Sequence, residues 1–152
     1  MITNVSAERL IDAPPAVVYR CLADYQHHHR PGGFLPPAFS NMQVLEGGVG
    51  AGTTMRFSVR LAGRTRTFTH HVTEPEPGRV LVEGDDSVRT VFTVEPDQTG
   101  ARVRVDTRMS VPGLEGVVNR FLAPRLMKPL YDEELRRLEE YARAQASTEV
   151  AA

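Results

Sequence analysis

The chain has 152 residues, a formal net charge of −1, 41% hydrophobic and 24% charged residues, as expected of one globular domain able to bury its own core. So small a charge argues against nucleic acid or an anionic membrane as the main partner, and no run of about 20 apolar residues offers a membrane span. The lone cysteine, Cys21, has no internal disulfide partner, which fits a reducing, cytoplasmic setting.

In chain order, residues 5–11 read as a strand with Val5, Ala7, Arg9 and Ile11 on one face. Asp12 is placed to cap a helix whose first turn takes Pro14 and Pro15 and whose apolar stripe is Val17, Val18, Cys21 and Leu22. Cys21 on that stripe reads as a packing residue. Residues 25–40 carry His27, His28 and His29, then Pro31-Gly32-Gly33, Phe34-Leu35 and Pro36-Pro37, read as a short second helix or turn followed by a loop.

From residue 41 the pattern is β. Strands are expected at 42–46, 53–61, 64–74, 79–83, 87–95 and 101–111, with the glycines of 47–52 forming a turn or bulge. Together with the first strand these make seven strands in meander order, hence an antiparallel sheet. Residues 114–144 switch to helical spacing, with Pro124 and Pro129 predicting a kink or break. One domain over 1–145 and a frayed tail over 146–152 complete the α+β plan. A single long helix is too narrow to fill the concave side of such a sheet, which favours a pocket.

The hairpin at Ala62-Gly63 allows a register to be deduced. A tight two-residue turn pairs Leu61 with Arg64, Val59 with Arg66, Phe57 with Phe68 and Met55 with His70. Arg66, Phe68, His70 and Val72 then share the apolar face of the preceding strand. A three-residue loop would turn Thr65, Thr67, Thr69 and His71 inward instead. The apolar Phe68 and Val72 favour the first register.

Four segments carry a resemblance: Ile11-Asp12-Ala13-Pro14-Pro15-Ala16-Val17-Val18-Tyr19, the run from Gly47 to Thr53, Val72-Thr73-Glu74 with Pro77-Gly78-Arg79-Val80-Leu81, and Phe92-Thr93-Val94-Glu95-Pro96. With them the chain resembles the START-like (SRPBCC) superfamily, in its polyketide cyclase/dehydrase and lipid-transport branch, over about residues 3–143. The resemblance implies a helix-grip fold: a curved seven-stranded sheet around the C-terminal helix, two short helices between strands 1 and 2, and a deep hydrophobic cavity. It fixes the activity poorly, since carriers, aromatase/cyclases, receptors and co-chaperone-like proteins share it.

On this frame the ligand-binding candidates are Tyr19, Tyr25, His28, Phe34, Phe57, Val59, Arg66, Phe68, His70, Phe92, Met109, Phe121 and Leu122. His70 can polarise a carbonyl or exchange a proton near neutral pH, and Arg66 can hold a carboxylate or enolate oxygen; these two are the catalytic candidates. Each also has a plain structural role available, as a core histidine and a solvated rim arginine. The resembled fold sets Phe34, Leu35 and Phe39 beside the pocket mouth, as wall or lid. Three consecutive histidines point in diverging directions, so no metal site is expected, with one of them, His28, facing the mouth. Glu133-Glu134 and Glu139-Glu140 read as a solvated helix face.

No Ser-His-Asp order, nucleotide fingerprint or phosphate loop occurs, so no cofactor is expected. The leading expectation is a carrier or sensor for a small hydrophobic or polyketide-like ligand, as a monomer or homodimer, with no stable membrane insertion. A cyclase or dehydratase using the same cavity is the alternative, with His70 and Arg66, helped by Tyr19, supplying proton transfer and oxyanion stabilisation. A protein-interaction module presenting the Arg56 and Arg60 face is a third.

Overall fold

The computed structural model describes every residue except Met1, Thr99, Val111, Pro112 and Ala152, and the side chains of residues 113–121, 150 and 151 lie outside the described set. Elements follow in the order β1 (Ile2–Ile11), α1 (Pro15–Ala23), β2 (Phe39–Glu46), β3 (Thr54–Leu61), β4 (Arg64–Glu76), β5 (Val80–Gly84), β6 (Val88–Asp97), β7 (Gly100–Ser110) and α2 (Gly113–Ala151). The strands form one antiparallel sheet in the order β1-β7-β6-β5-β4-β3-β2. This is the α+β helix-grip arrangement. Its inner face follows directly from alternation: on β7, Ala101, Val103, Val105, Thr107 and Met109 are buried, while Arg102, Arg104 and Arg108 are exposed.

The β3–β4 hairpin has the deduced register, Leu61 opposite Arg64 through Met55 opposite His70. Ala62 and Gly63 both adopt left-handed backbone (φ 51° and 76°), as a two-residue turn that matches strand twist requires. That conformation is what sends Phe68, His70 and Val72 inward.

Three details differ from the sequence reading. Only α1 lies between β1 and β2. The expected second short helix is a run of turns, because the Asp24 carboxylate takes the backbone N–H groups of Gln26 and His27, both at 3.0 Å. Asp12 does not cap α1: the cap position is Pro14, without a side-chain bond, and the Asp12 N–H donates instead to Glu139 Oε2 at 3.0 Å. Finally, α2 runs unbroken through Pro124 and Pro129 and past residue 145 to Ala151. Each interior proline costs a helix about 3 kcal/mol. Burial of Ala123, Leu130, Tyr131, Leu135, Leu138 and Ala142 along one stripe offsets that cost.

The described part of α2 packs chiefly on β1, α1 and β7. Arg9 and Glu139 join the helix to β1 at 2.9 Å. The glycine run docks on the end of α1: Tyr25 N–H donates to Gly48 O (2.8 Å) and Gly50 N–H to Ala23 O (2.9 Å). Glu74 then accepts bonds from Ala51 N–H and the Tyr19 hydroxyl, both at 2.7 Å. Three of the four sequence segments that carried the resemblance thus meet in one joint. Among the described residues, no helix is long and apolar enough to cross a membrane.

Candidate functional site

Pairing between strands lays the inner face out in rows. Val5, Thr107, Thr90, Glu83 and Val72 stand side by side across β1, β7, β6, β5 and β4. On one side of this row the sheet carries a filled apolar core of Ile11, Leu81, Phe92, Val94, Ala101, Val103 and Val105, in one cluster with Leu135 and Leu138 of α2. On the other side lie Met109, Val88, His70, Met55, Phe57 and Phe68. A row with Thr107, Thr90 and Glu83 at its centre therefore separates the apolar core from a second apolar part of the inner face, where we place the candidate chamber.

Side chains from the turns after α1 and from α2 complete that polar floor. The Tyr25 hydroxyl donates to Glu83 Oε2 at 2.5 Å, both residues being buried. His29 is fixed by a 2.7 Å bond between Nδ1 and the carbonyl of Leu22, and its ring stacks on Tyr25 with centroids 4.5 Å apart. A carbonyl only accepts, so Nδ1 carries a proton and Nε2 faces Glu134 Oε1 at 3.6 Å. Further along, the Tyr131 hydroxyl meets Thr107 Oγ1 at 2.5 Å, and Thr107 meets Thr90 at 2.8 Å. Three hydroxyls share two bonds, which leaves one hydroxyl proton for a further acceptor, and Thr90 is the cross-strand neighbour of Glu83.

The electrostatics follow from burial and these contacts. Burial raises the Tyr25 phenol well above its ordinary value, and the Glu83 charge and hydrogen bond raise it further. Burial likewise raises the Glu134 carboxyl, against the pull of His29. For His29 burial disfavours charge, but Glu134 and Glu83 outweigh it and the imidazole is raised. His70 goes the other way: burial lowers it, and the charges of Glu83 and Asp85 only partly compensate. Two histidines on one interior are thus tuned in opposite directions.

His70 is 4% exposed, and among the described residues neither ring nitrogen has a hydrogen-bond partner. Asp85 Oδ2 stands 3.6 Å from Nε2, beyond hydrogen-bond reach. Phe57 meets the ring edge-on at 5.0 Å and Phe68 lies at 5.6 Å. Thr3 Oγ1 is a second buried atom without a partner.

The sequence-derived residues fall into several groups. Tyr25, Phe57, His70, Phe92 and Met109 are buried on the inner face or against it, with Val59 and Phe68 partly covered near the hairpin. Phe34 is buried among His29 and Tyr141. Tyr19 is engaged elsewhere, in the Glu74 joint, and also lies 3.3 Å from Val80 O. Arg66 shares the inner face by register but is exposed at the rim, because the hairpin carries it beyond the covered sheet. Leu122 is 46% exposed and so lines no enclosed wall, while the Phe121 side chain lies outside the described residues.

His29, rather than His28, is the histidine turned into the interior. His28 shares a 2.6 Å bond with the Tyr141 hydroxyl, and His27 bonds Asp24 at 3.0 Å. Phe34 and Tyr141, with Gly33, Arg137 and Glu140, line a surface depression of about 260 Å³. Another, of about 340 Å³, lies on the outer sheet face among Glu8, Thr93, Glu95, Arg102 and Arg104. Among the described residues, no three histidine, cysteine, aspartate or glutamate side chains converge as a metal site needs.

Glu83, Glu134, His29, Tyr131, Thr90 and Thr107 are the residues that sequence reading missed, and Glu134 is 3% exposed where a solvated face was expected. Signals existed. Glu83 stands two positions from the buried Leu81 on one strand, and Glu134 sits between Tyr131 and Leu138 at helical spacing.

A family model described as polyketide cyclase/dehydrase and lipid transport matches residues 3–143. No curated protein matches the chain. Among solved structures, the NMR structure of KanY protein is 30% identical, with a TM-score of 0.80 over 94% of this chain and 99% of that one. TTHA0849 from Thermus thermophilus is 24% identical (TM-score 0.76, 94% and 99% covered). Zhui aromatase/cyclase from a Streptomyces species is 15% identical (TM-score 0.73, 94% of each chain) and shares the fold. Since the family model spans nearly its whole length, the chain belongs to the polyketide cyclase/dehydrase and lipid transport family.

Proposed function

We propose that the protein binds a small hydrophobic or aromatic molecule bearing at least one polar oxygen, between the inner face of β3–β7 and α2, as a carrier or sensor. The observation that carries this reading is His70, a buried imidazole on an apolar and aromatic face with both nitrogens unpartnered among the described residues. Leaving such a group unsatisfied costs a fold about 1–3 kcal/mol, which a ligand oxygen at the ring recovers. Met55, Phe57, Phe68 and Met109 offer the surrounding surface. Native mass spectrometry of the purified protein, with solvent extraction, tests it. A discrete compound of low mass on the wild-type protein, reduced in His70→Leu, is the expected result. A protein that carries nothing and binds no member of an aromatic ketone series would end the reading.

A second reading, turnover of a polyketide-like substrate, draws support from the Tyr25–Glu83 and His29–Glu134 pairs, which set proton-holding groups beside the same chamber. In that case proton transfer falls to His70 and the floor, with Arg66 confined to the rim. Formation of a cyclised product from a linear poly-β-ketone mimic, lost in His70→Ala, would decide for it.

A further inference from the structure

The chemistry of the chamber restricts its ligand further than its apolar walls do. We infer that the interior selects a ligand whose buried end donates a hydrogen bond, a hydroxyl or an ammonium, to Glu83, and that it rejects carboxylates. This inference rests on the binding reading above and names the ligand class for that site.

The buried groups make the case. Among the described residues, the buried side chains include Glu83 and Glu134 but no lysine or arginine, and Asp85 stands at the edge beside His70. Against these acids the interior sets only two imidazoles, His29 and His70. His29 is already committed to Leu22 and Glu134. Its Nδ1 is held by the Leu22 carbonyl and its Nε2 faces Glu134 Oε1 at 3.6 Å, so an imidazolium there offsets the Glu134 charge. Among the described residues the hydrogen bond given to Glu83 comes from the Tyr25 hydroxyl, while a carboxylate offers about four acceptor positions.

His70 supplies an independent indication that a ligand belongs there, being only 4% exposed, on the same face and without a partner among the described residues. On β4 it precedes Val72, the cross-strand neighbour of Glu83, by two residues, a strand distance of about 7 Å. A ligand seated at Glu83 and lying along β4 toward the hairpin therefore passes His70. A carboxylate seated there would face Glu83 in a medium where like charges repel strongly, with no arginine among the described buried side chains to receive it. The exposed Arg66 at the rim is the wrong end of the chamber for that task.

Isothermal titration with four naphthalene probes of similar size tests this: 2-naphthol, 2-naphthylmethylamine as its ammonium, 2-methoxynaphthalene and 2-naphthoate. The expected order places the first two about tenfold or more tighter than the ether, with naphthoate the weakest. In Glu83→Gln, the advantage over the ether shrinks by about tenfold for naphthol and more for the ammonium. Comparison of naphthol with the ammonium tells which donor the floor prefers. An ether that binds as well as naphthol, or naphthoate as the tightest probe, would overturn the inference and leave the cavity reading standing. No binding by any probe would overturn both. The wild-type series is decisive even where Glu83→Gln fails to fold. Where the variant folds, unchanged discrimination removes Glu83 from the role.

Discussion

His29 and Glu134 meet at 3.6 Å across the interface of the first turn region and α2, each at most 4% exposed on its side chain. The contact joins two distant parts of the sequence at the floor of the chamber, and it makes either partner costly to remove alone. Glu134→Leu leaves His29 Nε2 facing an alkyl chain, and His29→Phe leaves the Glu134 carboxyl without its imidazole. Each single change is expected to cost about 1–3 kcal/mol. The double variant costs less than the sum, with a coupling of about 1 kcal/mol or more. Urea denaturation of the four proteins measures it, and strict additivity would show that the pair does not interact.

The two buried histidines predict opposite pH slopes. Burial holds His70 below its ordinary value, so the unfolded chain binds the proton more tightly there. Its contribution is complete above about pH 6.5 and is lost as the pH falls below that value. His29 is raised, by Glu134 and Glu83 acting against burial, so the folded state binds the proton more tightly. Its contribution is complete below about pH 6.5 and fades as the pH rises through the folded value. Replacing His70 therefore flattens the acid limb of the stability profile, and replacing His29 flattens the alkaline side. Denaturation midpoints from about pH 5 to 9 distinguish the two, and slopes of the same sign would contradict the assignment.

The joint between the glycine run and α1 gives a third expectation. Gly50 has φ 67°, and a Cβ there would press on the Glu74 carboxylate, which Tyr19 and Ala51 N–H hold in place. Gly50→Ala is expected to cost about 2 kcal/mol, part from the left-handed backbone and part from that crowding. In a Glu74→Ala background only the backbone part remains, about 1 kcal/mol. An undiminished cost in that background would place the strain elsewhere.

The parts legible in the sequence are those that obey a period. The β3–β4 register followed from Ala62-Gly63 and alternation alone, and it brought His70 to the inner face correctly. The polar floor was less legible because period arguments assign charge to solvent. Glu83 and Glu134 keep the period of their apolar neighbours and break only its polarity. What makes them tolerable inside is contact with Tyr25 and His29, and those residues lie in turns, where spacing sets no direction. The choice of His29 over His28 was hidden for the same reason. It depends on the Asp24 turn, which sends backbone N–H groups of both His28 and His29 to the Asp24 carbonyl and only one ring inward. The unbroken α2 reflects tertiary packing overriding a local penalty, which proline positions alone do not reveal.

His70 itself sets stability against binding. Its ring nitrogens are buried beside Phe57 and Phe68 without partners among the described residues, so a leucine of similar volume removes an unmet polar group and keeps the apolar contacts. His70→Leu is expected to be more stable than wild type by about 1 kcal/mol at neutral pH, a rise of about 2–4 °C in Tm for a chain of this length. The same change takes away the group that meets a ligand oxygen. Binding of 2-acetylnaphthalene, whose carbonyl accepts a hydrogen bond, is expected to weaken about tenfold, while naphthalene binds as before. Calorimetry on both proteins checks the two effects together. A residue kept only for packing would give a destabilised variant with unchanged probe affinities. A gain in stability with a selective loss for the ketone is the signature of a buried polar group held for its ligand.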